Sequence, residues 1–487
     1  MLRMQQRLSV PFLVLLSLPS TAMGFALSVQ ISALSWLLST KYGLDIHEIG
    51  IVWAAGPLAG IVGQLLIGII SDNVWLWGGR RRPFILVGGV LTALMLTALP
   101  SIGAISTALG LDAILGVAIA VAMGLDLAIN VSFNPTRSII ADVTPEGAQR
   151  TAGYTWMQTV SGSFGVLAYA IGAVFGNIAL IYFGAVLVLA FSILPALLVE
   201  EPRVLATAGG APAGKPPKVG LLQLLDISRP LLAFLAYNLV MMGLKLAGVK
   251  PPGHWLEIGF GLFAALLIVQ ALAAPAPRGE FLREDLAGFR KVLAAHSLSW
   301  LGVQTMFVYM IAFVQQRFPT LDADGTGRVL SLSFLLLNAT AAVIPALLLR
   351  PLALRFSQVR VHAASLAVMA AGYLAVYLFG HSPGVVYACM AVMGLGWAAI
   401  VSLPFAIMSQ QVDPARIGLY MGVFNLAVVL PQLVVSLGIG SFVSEADDKG
   451  LVFLIGAVSV GLSAVCWLFV SDGRHAATAA TGPAASH

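Results

Sequence analysis

Apolar runs of about twenty residues recur along this chain, and a lipid bilayer is the solvent that suits them. They fall at roughly 11–39, 49–70, 84–108, 111–141, 151–175 and 178–199, then 230–248 and 256–273. Six more follow, near 297–315, 327–349, 361–379, 384–410, 415–440 and 450–470. At 1.5 Å per residue, about 20 residues cross a hydrocarbon layer of ~30 Å. The 487 residues are 59% hydrophobic and 10% charged, whereas soluble domains carry about 25% charge. A porin-like barrel would show short alternating segments instead. The expected fold class is an all-α polytopic membrane protein.

The few charges set an orientation. Arg80, Arg81, Arg82, Arg150, the central linker, the Arg350/Arg355/Arg360 run and Arg416 all fall on one side. Lys41, Arg317 and the acidic run from Asp322 to Asp324 fall on the other. The positive-inside rule then places both termini in the cytoplasm of a multi-pass plasma-membrane protein, with a bacterial inner membrane as the expected setting. A net charge of +5 would suggest a nucleic-acid partner in a soluble protein; here the basic loops serve topology, and none is expected. Cys389 and Cys466 lie in apolar runs and offer neither a disulfide framework nor metal-ligand spacing. The N-terminus imitates a signal peptide, but its apolar character continues to Leu38, so it reads as an uncleaved first span.

The spans group as six, two and six. Residues 1–199 form the first half and 297–472 the second, with a disordered tail over 473–487. Between them, 200–296 combines a Pro/Gly-rich linker, an inserted hydrophobic hairpin at about 230–273 and a charged segment, Arg278 to Lys291. The charged segment reads as an amphipathic surface helix; the hairpin reads as spanning or as a shallow interfacial pair. The two halves also repeat. Asp142 to Tyr154 is echoed by Val412 to Tyr420, and the basic loop after the second span by Arg350 to Arg360. Similar halves of this kind mark a transporter with its site near the midplane.

Within the fourth run, Asp126, Asn130 and Asn134 are spaced four apart and share one helix face. An acid at bilayer depth costs at least ~2.5 kcal/mol, so Asp126 is either functional or a packing contact with a neighbouring helix. Amides and tryptophans inside other runs could line a polar path: Gln30, Gln64, Trp156 and Gln158 in the first half, with Trp300, Gln304, Asn338, Asn425 and Gln432 in the second. Each is as readily an interhelical hydrogen bond as a ligand contact. Arg137 lies about 16 Å beyond Asp126 along a helix, too far to neutralise it. It belongs instead to a gating pair with Asp142 or an acid of the facing half.

Gly68, Asp72 and the run Gly79-Arg80-Arg81-Arg82-Pro83-Phe84 resemble the cytoplasmic loop signature of the major facilitator superfamily. Physically, Asp72 can latch onto the arginines or onto a helix N-terminus, and Asp72, Arg80, Arg81, Arg137, Asp142 and Arg416 form the expected cytoplasmic gate. Trp53 to Gln64, the Asp126-to-Asp142 stretch and Gly418 to Ser436 resemble the second, fourth and eleventh helices of proton-coupled sucrose transporters and their glycoside–pentoside–hexuronide relatives. That resemblance implies the major facilitator fold, a proton carried by Asp126 and a sugar held beside it. Asn73 stands where that loop usually has an arginine.

The expected function is secondary active transport by alternating access, with proton-coupled symport of a disaccharide or glycoside such as sucrose or maltose. A carboxylate in a sparsely hydrated cavity is pushed toward its neutral form, so it can load and release a proton. The proton is the coupling ion and no cofactor is expected; the partners are the sugar and the bilayer, and the functional unit is a monomer. The alternative is proton-coupled export of a hydrophobic compound or pigment-related molecule. An enzyme finds no support, since HExxH, P-loop and GxSxG motifs are absent.

Overall fold

The computed structural model describes residues 3–60, 67, 70–71, 74–111, 113–145, 148–202, 221–249, 251–275, 285–344, 348–412 and 417–471. Gln64, Asp72, Arg416, most of the linker and the tail therefore lie outside the described residues. Among the described residues, eleven helices are long and apolar enough to cross a membrane. We name the helices α1 (Val10–Thr40), α2 (Ile46–Trp53), α3 (Arg82–Ala108), α4 (Ile114–Val143), α5 (Ala148–Phe175) and α6 (Asn177–Leu198). Next come α7 (Leu232–Leu246), α8 (Trp255–Ala273), α9 (Leu286–Arg317), α10 (Ala323–Ile344) and α11 (Arg350–Phe356). The last are α12 (Gln358–Phe379), α13 (Pro383–Ser409), α14 (Ile417–Val434) and α15 (Leu451–Trp467). The all-helical, multi-pass class read from hydropathy holds.

One boundary moves. Leu286–Lys291, the described part of the charged segment, is the opening of the 32-residue α9 and not a separate surface helix. Burial explains it: Phe289, Val292 and Leu293 are inaccessible, and Asp285 caps the start by accepting from Gly288 N–H at 2.7 Å. The segment expected as an inserted hairpin holds two helices, α7 and α8. With 15 residues, α7 is about 22 Å long, short of a full crossing on its own.

The chain divides into two compact units: residues 1–211, 307–336 and 440–449 in one, and 212–306, 337–439 and 450–487 in the other. The first unit thus gathers the six N-terminal helices with the end of α9 and the start of α10. Its α1 is wrapped by α4, α5 and α6, burying Phe12, Phe25 and Leu37. Gly88 of α3 lets that helix press on Ser132 of α4, since a Cβ there would fall 2.9 Å from Ala128 carbonyl oxygen. Gly176, at φ +86°, makes the one-residue turn from α5 into α6, a backbone pose that suits glycine.

In the second unit, α12 packs between α13 and α15. The α7–α8 hairpin docks on α14, where Asn238 Nδ2 donates to Leu430 carbonyl oxygen at 3.0 Å. Tyr237 abuts Gly438 inside a π-helical turn, Val435–Ile439, that continues α14. A π turn frees backbone groups for other contacts, and such turns concentrate at functional sites.

Candidate functional site

Asp126 sits near the middle of α4 and is only 6% exposed. Gln30 of α1, 4% exposed, donates its amide N–H groups to both carboxyl oxygens at 3.2 and 3.0 Å. The carboxyl also lies against the backbone of Gly56, where a Cβ would come 3.1 Å from Oδ2. Among the described residues no cation pairs with it. A dry carboxyl with amide donors and no counter-charge is costly when ionised, and far less so when it carries a proton. Asn130 serves the helix itself: its Nδ2 donates to Asp126 carbonyl oxygen at 2.8 Å. Asn134 is half-buried.

Along α5, Thr155, Gln158, Thr159 and Ser163 form an exposed polar stripe at helical spacing. Lipid disfavours such a face, so it suits a water-filled path. Trp156, next along α5, packs instead against the apolar cluster around Phe12, Leu16 and Met157.

The second unit holds two further polar groups. Gln432 Nε2 donates to Gln304 Oε1 at 3.2 Å. Separately, Trp397 donates to Asn338 Oδ1 at 3.1 Å, and Trp300 donates to His296 Nε2 at 3.0 Å. The two indoles meet edge to face with centroids 5.8 Å apart, and His296 stacks on Phe424 at 4.7 Å. Asn425, next along α14, is half-buried. His296 and Trp397 escape a reading of the sequence, because their partners lie on other helices.

Two ends of the first unit carry gate-like contacts. At the basic end, Arg81 Nε donates to Asp142 Oδ2 at 3.0 Å and its Nη1 to Ser71 at 2.8 Å. Asp142 therefore takes Arg81 as its ion-pair partner and not Arg137, whose guanidinium lies over the Phe133 ring 4.2 Å from its centroid. Arg137 is three turns from Asp126 but only five residues from Asp142, and its side chain runs back along its own helix to an aromatic face. Glu201, beyond α6, accepts the backbone N–H groups of Arg80, Arg81 and Arg82 at 2.8, 2.9 and 2.7 Å. This caps the positive N-terminus of α3 with a carboxylate. Gly79 admits it, since a Cβ there would sit 2.5 Å from Glu201 Oε1. The side chains of Arg81 and Asp142 are 8% and 9% exposed, so removing one partner strands a buried charge. Arg81→Gln is expected to cost about 3 kcal/mol. A double-mutant cycle with Asp142→Asn should return a coupling of about 1–3 kcal/mol, read from thermal unfolding. Additive losses would mean that the pair is not coupled.

At the opposite end, α1 is stitched to α9 and α10 by neutral hydrogen bonds. Ser32 donates to Ser331 at 2.7 Å, and Ser331 passes its own proton to Asn177 Oδ1 at 2.8 Å. Ser35 donates to Val308 carbonyl oxygen at 2.9 Å and accepts from Trp53 Nε1 at 2.8 Å. Trp36 donates to Ala323 carbonyl oxygen at 2.6 Å, its indole lying against Gly327, where a Cβ would come 2.8 Å from Nε1. Ser39 and Gln315 bond reciprocally at 3.2 and 3.0 Å. This end is closed.

Comparison with known proteins fits these features. A profile of the Major Facilitator Superfamily matches residues 16–436. A sucrose transport protein of Arabidopsis thaliana is 24% identical over 471 residues, covering 88% of this chain and 83% of its own. One from Oryza sativa subsp. indica is 27% identical over 500 residues, covering 91% and 85%. A general alpha-glucoside permease of Schizosaccharomyces pombe reaches 30% identity over 174 residues, 32% of this chain and 31% of its own. Among solved structures, the xylose transporter XylE from E. coli superposes with TM-score 0.59 at 15% identity, covering 96% of this chain and 97% of its own. A mutant of the nucleoside transporter NupG does so with TM-score 0.63 at 14% identity, covering 94% and 98%; these likenesses are of fold. The resemblance to sucrose transporters seen in single helices thus extends over most of the chain, and transport, not enzyme catalysis, is what this architecture serves. With 421 of its residues under one continuous match, this chain belongs to the major facilitator superfamily.

Proposed function

We propose that this protein is a proton-coupled sugar symporter that takes up a disaccharide or glycoside, with sucrose and maltose as first candidates. The observation that carries the reading is Asp126: a buried carboxyl in a span, with amide donors and, among the described residues, no cation paired with it. The plant sucrose transport proteins that match most of the chain support a sugar as cargo. Loading a proton removes the charge that opposes closing a dry cavity, and the neutral carboxyl then gains a donor for a sugar hydroxyl. The paired amides Gln304 and Gln432 and the Trp300–Trp397 corner offer what a sugar ring needs, hydroxyl partners and an aromatic face.

Alternating access then exchanges the two ends. With the basic loops assigned to the cytoplasm, the seal between α1, α9 and α10 serves as the outer gate. Both termini lie in the cytoplasm on this assignment, and the membrane is a bacterial inner membrane.

The deciding experiment is uptake of radiolabelled sugars into proteoliposomes under an imposed inward proton gradient. Gradient-driven accumulation of at least one glycoside is expected. A flat response across mono- and disaccharides, beside gradient-driven efflux of an apolar dye, would sink sugar symport and favour export of a hydrophobic compound.

A further inference from the structure

We propose that a groove at the arginine-bearing end of the second unit holds an acyl chain of an anionic phospholipid, with the phosphate on Arg360. The groove encloses about 330 Å3 between α11, one face of α12 and Leu395 of α13. Its walls include Leu352, Phe356, Val361 and Val368. Val361 and Leu349 at its floor belong to a buried cluster with Ala398 and Ala399, so the groove opens a seam into the core. Phe356 and Val368 are 51% and 37% exposed, which leaves the seam accessible to lipid from the side. Among the lining residues, Arg360 alone is ionised. Ser357, at φ +118°, makes the elbow between α11 and α12, and its hydroxyl caps the Arg360 N–H at 3.2 Å, which fixes that residue at the helix start.

Charge decides the headgroup. Between Asp324 and Asp413 the sequence contains no acidic residue, yet it contains Arg328, Arg350, Arg355 and Arg360. The corresponding loop of the first half answers its arginines with Asp142 and Glu201. Among the described residues no carboxylate pairs with Arg360. An anion with an apolar tail satisfies both the guanidinium and the seam, as in basic pockets between transmembrane helices. Free phosphate would leave the walls uncovered, and a zwitterionic headgroup would bring a competing cation to Arg360.

The test is native mass spectrometry of the full-length protein in detergent, with phosphatidylglycerol or phosphatidylcholine of matched chains. The wild type should retain phosphatidylglycerol over phosphatidylcholine by about fivefold, equal to the ~1 kcal/mol that one basic residue contributes at an anionic surface. Arg360→Gln should abolish that preference, and Arg360→Lys should keep most of it. Val368→Trp, which fills the seam without touching charge, should lower retention of both lipids. Equal retention of both lipids by the wild type, or an undiminished preference in Arg360→Gln, would overturn the proposal. So would displacement of phosphatidylglycerol by glycerol phosphate at equal concentration, which would show a headgroup site without a chain site. Each variant changes an exposed side chain, and a thermal unfolding scan without lipid reports whether it folds.

Discussion

Asp126→Asn should reduce concentrative sugar uptake to simple equilibration. A membrane potential of about 100 mV is worth about 2.3 kcal/mol per charge, hence about a 50-fold concentration ratio for each proton carried. In proteoliposomes the wild type should approach such a ratio per coupled proton, and the variant should settle near one. The substitution is close to isosteric, so the Gly56 contact survives and the amide oxygen can still accept from Gln30. What is lost is the proton. Sugar exchange at equal concentrations should therefore persist in the variant, since exchange needs binding and gate motion but no net proton movement. Undiminished accumulation by Asp126→Asn would remove this residue from coupling. Loss of exchange as well would make it a binding residue first.

This residue was legible in the sequence because an acid in an apolar run is rare and costly, and the cost shows in composition alone. Hydropathy likewise located the eleven membrane-length helices among the described residues, since each must be apolar over its full length whatever it packs against. Partnership is another matter. Gln30 and Asp126 are 96 residues apart, and only the fold brings them together. Glu201 reads as an ordinary solvated acid after a span, yet it caps the start of α3 from across 119 to 121 residues. Arg137 and Asp142 looked suited to each other by spacing, but Arg81 reaches Asp142 from another helix and takes it. His296 reads as a polar residue at the start of a span; its role in holding Trp300 depends on a ring orientation that no spacing fixes. Local rules reveal which residues are expensive. Tertiary contacts decide who offsets the expense.

The seam between α1, α9 and α10 shows the same limit most sharply, and it carries the second large expected effect. Its parts are Ser32, Ser35, Ser39, Ser331, Asn177 and Trp36, small or neutral residues that a membrane helix tolerates anywhere. None announces a gate. Together they join α1 to α9 and α10 by bonds that need no charge to be dehydrated, so parting and re-forming them avoids the large penalty of stripping water from ions. One close approach is at Gly327, where a Cβ would sit 2.8 Å from Trp36 Nε1 and 2.9 Å from Asn177 Nδ2. Gly327→Leu should keep this end from closing and hold the protein open to the outside, where sugar can still bind. Transport should fall by two orders of magnitude or so, on the scale of the ~3 kcal/mol that overpacking a tight contact can cost. Trp36, 4% exposed here, should become accessible, and hydroxyl-radical footprinting by mass spectrometry would report its oxidation several-fold above the wild type. Gly327→Ala should show a weaker form of both effects. A Gly327→Leu protein that transports normally with Trp36 still protected would mean that this seam does not open during the cycle, and that the outer path runs elsewhere.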